Sequence, residues 1–277
     1  MLWLAHDGSL NADWLSHYAV RFAERLPARK ITALTVKDGS ETQARAPRRL
    51  EFLAAQCDRA HLHLSVEELA LDKDVVHTLL ARIPEGSDQY LLCGTRVRRQ
   101  SRGFLAGTVS EQLLAAQRFN VLALRVVQPG LLGQTHRVLI PVMGHPRGFA
   151  SGLPFVKLMG ADLQSVHVLI VKSEFGWSAA RRGGAVALDL NAASAYVSQI
   201  QAELRLALSH DFGVDGSVVD GHNAADEIVL GAKQHQCQLI YLGASERSLA
   251  LRMLAGTPIE RILAHAPCDV AIYRGVR

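Results

Sequence analysis

Leu105-Ala106-Gly107-Thr108 returns as Leu254-Ala255-Gly256-Thr257, 149 residues further on. At that same spacing Gly94 meets Gly243, Glu111 meets Glu260, and Leu114-Ala115 meet Leu263-Ala264. Val121 meets Val270 and Arg125 meets Arg274. An ungapped run of matches of this kind marks an internal duplication. The starts of the two copies align as well, LWLAHDG (2–8) with LIPVMG (139–144), but Gly8 and Gly144 are only 136 apart. The second copy therefore carries extra residues, which we place within KSEFGWSAARRGGAVALDLN (172–191). The Pro/Gly-containing stretch QPGLLGQTH (128–136) separates the copies, giving domains over 1–128 and 136–277.

Each copy alternates strand and helix. In the first, residues 2–5 form a short apolar strand. Ser9 caps a helix whose apolar positions Trp14, Leu15, Tyr18, Phe22 and Leu26 recur with a helical period and stop at Pro27. ITALTVK (31–37) is the second strand, 48–59 a helix, 61–67 an alternating strand, and 74–82 a helix. Residues 90–93 read as a fully buried strand, 108–117 as a helix and 120–127 as the last strand. In the second copy the strands are VLIPV, SVHVLIV, a stretch near 217–219, QLIYLG and DVAIY. Its first helix holds Gly152 and Pro154 and is expected to be short or kinked. Five strands alternating with helices in each copy predict an α/β protein with two tandem open five-stranded parallel sheets.

Composition excludes several classes. The chain has 277 residues, 49% hydrophobic and 20% charged, which suits packed domains rather than disorder. No apolar run approaches the roughly 18 residues of a membrane span, so no membrane insertion is expected. The N-terminus lacks a basic segment and reaches Asp7 early, unlike a signal peptide. Cys57, Cys93, Cys237 and Cys268 are far apart with no C-x-x-C, which fits reduced thiols and a cytoplasmic location. A net charge of +4, widely spread, gives no footprint for nucleic acid.

The residues at the strand ends carry a resemblance. A first strand leads into Asp7-Gly8-Ser9, a fourth ends at Gly94, a loop reaches Gly107-Thr108, and ILAHAPCDVAIYR (262–274) closes the second copy. This pattern resembles the universal stress protein family in its tandem two-domain form, over nearly the whole chain. The resemblance implies Rossmann-like (flavodoxin-like) sheets of the adenine nucleotide alpha hydrolase type, related by a pseudo-twofold axis, with the last strands paired. It implies a homodimer acting on a protein partner that the sequence does not name. The family's nucleotide-binding members carry G-x-x-G-(nine residues)-G-[ST]. Here Val97 and Glu246 stand where the middle glycine belongs in the two copies.

By that resemblance a bound adenine nucleotide sits at the carboxyl ends of the strands in the first domain. Its adenine side lies beside Ala5, His6, Asp7 and Val36, and its phosphates over Gly94, Arg96, Arg98, Gly107, Thr108 and Val109. The chemistry is suitable. A carboxylate at Asp7 accepts hydrogen bonds from an amino or ribose group, and helix-opening amides after Gly107 favour an anion. Arg96, Arg98, Arg99 and Arg102 bring positive charge. Each residue also has a structural reading. Asp7 braces the first helix, Thr108 and Glu111 form a capping box, and the arginines are a solvated loop. In the second domain Met143 replaces Asp7, Glu246 adds negative charge, and Pro258 removes an amide that Val109 keeps.

Cys57, His61 and His63 straddle a helix-to-strand junction and are read as ordinary residues, so no metal is expected. Asn223 is expected to cap the helix that follows. No G-x-S-x-G, H-E-x-x-H or G-x-x-x-x-G-K-[ST] occurs, and no nucleophile is paired with a base by spacing, so no enzymatic activity is expected. The expected function is a cytoplasmic stress-response sensor or adaptor that binds ATP or a related adenine nucleotide in its first domain. The alternative is a nucleotide-independent interaction scaffold.

Overall fold

The computed structural model describes residues 1–40, 42–95, 104–105, 107–142, 149–172, 190–208, 211–244 and 258–276. The chain divides into two compact units, Met1–Gln134 with Ile272–Arg277, and Thr135–Ala271.

The first unit opens with β1 (Leu2–Ala5) and α1 (Leu10–Arg25), followed by β2 (Lys30–Lys37) and α2 (Ala46–Arg59). β3 (His63–Ala70), α3 (Val75–Arg82), β4 (Gly86–Gly94), α4 (Val109–Ala116) and β5 (Phe119–Arg125) complete the alternation. The strand order is β3-β2-β1-β4-β5. The pairings of β1 with β2 and β4, of β2 with β3 and of β4 with β5 are all parallel. Beyond β5 the order continues into β10 (Asp269–Arg274), of which residues 272–274 belong to this unit. The Val276 amide donates to Asn120 Oδ1 at 3.3 Å.

As the pattern anticipates, α1 is capped by Ser9, whose hydroxyl accepts from the Ala12 amide at 3.2 Å. Leu15, Tyr18, Ala19, Phe22 and Ala23 on one stripe are buried. The helix ends at Arg25, before Pro27. β4 and β5 supply the centre of the core: Leu91, Leu92, Val121, Leu122, Ala123 and Leu124 are buried. The edge strand β3 alternates in exposure, and its Glu67 receives both the Nε and the NH2 group of Arg82 at 2.5 Å. That guanidinium also stands 4.9 Å above the Trp3 ring.

Two boundaries differ from the sequence reading. β4 begins at Gly86 rather than near Tyr90, with a register shift between those residues. The polar run Ser87-Asp88-Gln89 hides it from a hydrophobicity criterion. β3 spans 63–70 because His61 takes a positive φ of 54° and turns the chain first.

In the second unit β6 (Arg137–Val142) is followed by a 3-10 turn (Ala150–Gly152) and α5 (Leu153–Met159). Then come β7 (Ser165–Lys172), α6 (Leu190–Ala207), β8 (Gly213–Asp220), α7 (Ala224–Gln234), β9 (Leu239–Gly243) and α8 (Pro258–His265). The order is β10-β9-β6-β7-β8, with β6 parallel to β7 and β9, and β7 parallel to β8. α5 has seven residues with Pro154 in its first turn, the short helix that Gly152 and Pro154 foretold. Most of the expected insertion lies outside the described residues. Its end opens α6, an 18-residue helix. β8 is longer than the stretch 217–219, because Gly213, Asp215 and Gly216 dilute its apolar signal.

All four cysteines are free and buried. Burial pushes the thiols of Cys57 and Cys237 up to about 11 and those of Cys93 and Cys268 to about 12. Among the described residues no helix is long and apolar enough to cross a membrane.

Candidate functional site

The first unit reverses strand order between β1 and β4, and ligands of open α/β sheets sit beyond the carboxyl ends of the strands at such a reversal. The turn leaving β1 is tightly built. His6 is 2% exposed and donates its amide to Leu34 O at 2.9 Å. Its Nδ1 accepts from the Gly8 amide at 3.3 Å. Gly8 has φ +74°, and a Cβ there would lie 1.9 Å from Thr42 O. Only glycine lets this turn rest against the chain that enters α2. Asp7 is exposed, and its Oδ1 accepts from the Ser9 amide at 2.9 Å. The carboxylate thus braces the turn, as its structural reading has it.

Below this turn lies a charged group that sequence reasoning missed. His6 Nε2 stands 3.8 Å from Asp13 Oδ1, and Asp13 pairs with Arg49. Burial holds the His6 imidazole below its ordinary pKa, although Asp13 and Asp7 pull the other way. Asp13, Arg45, Arg48, Arg49 and Phe52 line a cavity of about 450 Å³. Only the run Arg45-Ala-Pro-Arg48-Arg49 gave a signal for it, and a basic run alone reads as solvated surface.

Gly94 ends β4, and the space where its Cβ would stand is filled by Asn11 Nδ2, 2.5 Å away, from α1. The next residue, Thr95, is buried, and its hydroxyl lacks a hydrogen-bond partner among the described residues. Gly107 takes φ +70°. Thr108 caps α4, accepting from the Glu111 amide at 3.2 Å, while a Glu111 carboxylate oxygen accepts from the Gly107 amide. The capping box expected of Thr108 and Glu111 is present. It reaches one residue further back than usual, since the Thr108 amide donates to Leu105 O. Val109, the first residue of α4, is exposed.

Ala5 and Val36 lie at the same strand ends, Val36 buried. Ala5, His6, Asp7, Val36 and Gly94 are therefore carried by the carboxyl ends of three adjacent parallel strands, and Gly107, Thr108 and Val109 by the start of the next helix. Arg96 and Arg98 lie outside the described residues, as do Arg99, Arg102, Met143, Glu246, Gly256 and Thr257. In the second unit Asn223 caps α7 as expected, accepting from the Ala225 amide at 3.0 Å. Pro258 opens α8.

Two parallel α/β units with a strand-order reversal and a helix-opening Gly-Thr at the strand ends define a tandem Rossmann-like protein. The sequence pattern of the universal stress protein family matches residues 136–274, half of the chain. The chain belongs to the universal stress protein family, and its two units fit the tandem form.

A solved universal stress protein from Archaeoglobus fulgidus DSM 4304 is similar over 99% of this chain and 96% of its own, at 18% identity and a TM-score of 0.66. A putative universal stress protein from Pseudomonas aeruginosa UCBPP-PA14 is similar over 98% of this chain and 91% of its own, at 14% identity and 0.55. The cytoplasmic domain of a prokaryotic cation chloride cotransporter is similar over 99% of this chain and 95% of its own, at 10% identity and 0.50. At these identities the likeness is one of fold. No curated protein matches the chain.

Proposed function

We propose that this chain is a cytoplasmic stress-response sensor or adaptor that works by binding, without turnover, and whose first unit takes up ATP or a related adenine nucleotide. The observation that carries this reading is the reversal of strand order between β1 and β4, flanked by the Asp7-Gly8-Ser9 turn and by the Gly107-Thr108 start of α4. The buried Thr95 hydroxyl beside it, without a hydrogen-bond partner among the described residues, is the kind of group a polar ligand satisfies. Asp7 would accept from the adenine or ribose, with Ala5, His6 and Val36 at that end. Val109 and Ser110 amides, which the cap does not use, would face the phosphates together with Gly94, Gly107 and Thr108. Arg96 and Arg98 would add charge. The active species is proposed to be a homodimer.

A second reading is a nucleotide-independent scaffold. It is favoured by the Glu111 carboxylate on the Gly107 amide and by Asn11 in the space beside Gly94. ATP titrated calorimetrically into the intact chain and into Asp7→Ala separates the two. One site, lost in the variant, supports the nucleotide reading. Unchanged binding in Asp7→Ala, or two equivalent sites, overturns the placement, and no binding at all favours the scaffold.

A further inference from the structure

β7 and β8 pair in parallel register so that His167 stands opposite Asp215, with Ser217 two residues along on the same face. His167 is 6% exposed. Its Nδ1 lies 2.7 Å from Asp215 Oδ1 and its Nε2 2.9 Å from Ser217 Oγ. His235, the residue that closes α7, lays its ring on that of His167, with centroids 3.6 Å apart and planes 20° from parallel. One ligand-capable atom from each of His167, Asp215 and His235 falls within 4.8 Å of the others. The neighbours of His167 on its strand, Val166, Val168, Leu169 and Ile170, are buried and apolar. A sheet needs no imidazole there, and burying one costs free energy unless its polar atoms are used.

We propose that His167, Asp215 and His235 bind one divalent transition ion of the zinc class. Two imidazole nitrogens and one carboxylate oxygen suit zinc or its neighbours rather than calcium or magnesium, which prefer oxygen alone. Three residues on three different elements converge, and the remaining coordination positions are left to water. Bonds of about 2.0–2.1 Å place tetrahedral ligand atoms on the order of 3.3 Å apart, so the trio closes slightly around the ion.

The movable members are on the outside. The Asp215 side chain is 72% exposed, and His235 is exposed at a helix end, where its ring can swing out of the stack to aim a lone pair. His167 is the fixed member, steadied by Ser217 at its second nitrogen, the outer-sphere support that metal-bound histidines commonly have. Burial holds its imidazole below the ordinary pKa, against the pull of Asp215. An ion bound at Nδ1 displaces the proton from that nitrogen, and the neutral ring then carries its proton on Nε2, facing Ser217 Oγ. Acid competes by protonating the ligands, so binding weakens as pH falls.

Zinc chloride titrated calorimetrically into the full chain at about pH 7.5 tests this. The expected result is one saturable site whose affinity falls by about tenfold or more in His235→Ala and in Asp215→Asn, both exposed positions that spare the core. A drop of similar size is expected in the wild type at about pH 5.5. Equal zinc affinity in the wild type and both variants overturns the assignment. So does an absence of saturable binding up to about 100 µM zinc, a concentration that would correspond to an affinity too weak for a built site.

Discussion

The Glu111 carboxylate and the Gly107 amide are hydrogen-bonded to each other at the start of α4, so the helix supplies its own anion at the place proposed for a nucleotide's phosphates. Replacing Glu111 by Gln keeps an acceptor and removes the charge. We expect Glu111→Gln to bind ATP more tightly than the wild type, by on the order of tenfold for about 1.4 kcal/mol of relieved repulsion. The weakened cap should cost about 0.5–2 kcal/mol in urea unfolding. Calorimetry on the two proteins checks the sign; weaker binding in the variant would mean that the carboxylate does not compete.

Gly8 and Gly39 share a φ of +74°, but only Gly8 has backbone where a Cβ would go. Gly39→Ala therefore pays for the left-handed backbone alone, about 1–2 kcal/mol. Gly8→Ala also collides with Thr42 O, and should lose upwards of about 4 kcal/mol or fail to accumulate folded. Urea denaturation followed by circular dichroism ranks the two, and equal losses would refute the contact.

The folded state disfavours protonation of His6, chiefly through burial, with Arg49 adding to the effect and Asp13 and Asp7 opposing it. Above about pH 6.5 neither folded nor unfolded chain carries that proton, and the stability is fully present. As pH falls below that value the unfolded chain takes up the proton first, and stability is lost down to the lowered folded pKa. The urea midpoint should hold steady from about pH 8 to about pH 6.5 and then decline, and His6→Asn should flatten the decline. His17, also lowered by burial, leaves a residual slope.

Arg82 joins an edge strand to the core by pairing with Glu67 and covering the Trp3 ring. Both side chains of the pair are about a third exposed, so solvent screening keeps its worth modest. Arg82→Ala should cost roughly 1–2 kcal/mol in all, with Arg82→Lys intermediate because an ammonium lacks the planar fork. Raising salt should shrink the difference between wild type and Arg82→Ala.

The repeat that opens with Leu105 made the architecture legible, because each copy has to bury the same strand faces. The caps were legible too: Ser9, Thr108 with Glu111, and Asn223 sit where short polar side chains meet free helix amides. Elements diluted by polar or glycine residues were not, as at Ser87-Asp88-Gln89 in β4 and Gly213 to Gly216 in β8. The placement of the candidate residues at a set of strand ends was legible, because it follows from topology. Its local competition was not. Asn11 beside Gly94 and Arg49 on Asp13 are contacts between segments far apart in sequence, and no spacing rule announces them. The His167–Asp215 pair depends on strand register, which an apolar alternation leaves undetermined until the partner strand is known.

Oxidants react with thiolates that solvent can reach, and the cysteine thiols of this chain offer neither condition. With Cys57, Cys93, Cys237 and Cys268 all interior and their thiols held at about 11 to 12, peroxide near neutral pH finds almost no thiolate to attack. The thiols can therefore pass through such an exposure without being spent, cross-linked to neighbours or turned into a record of it.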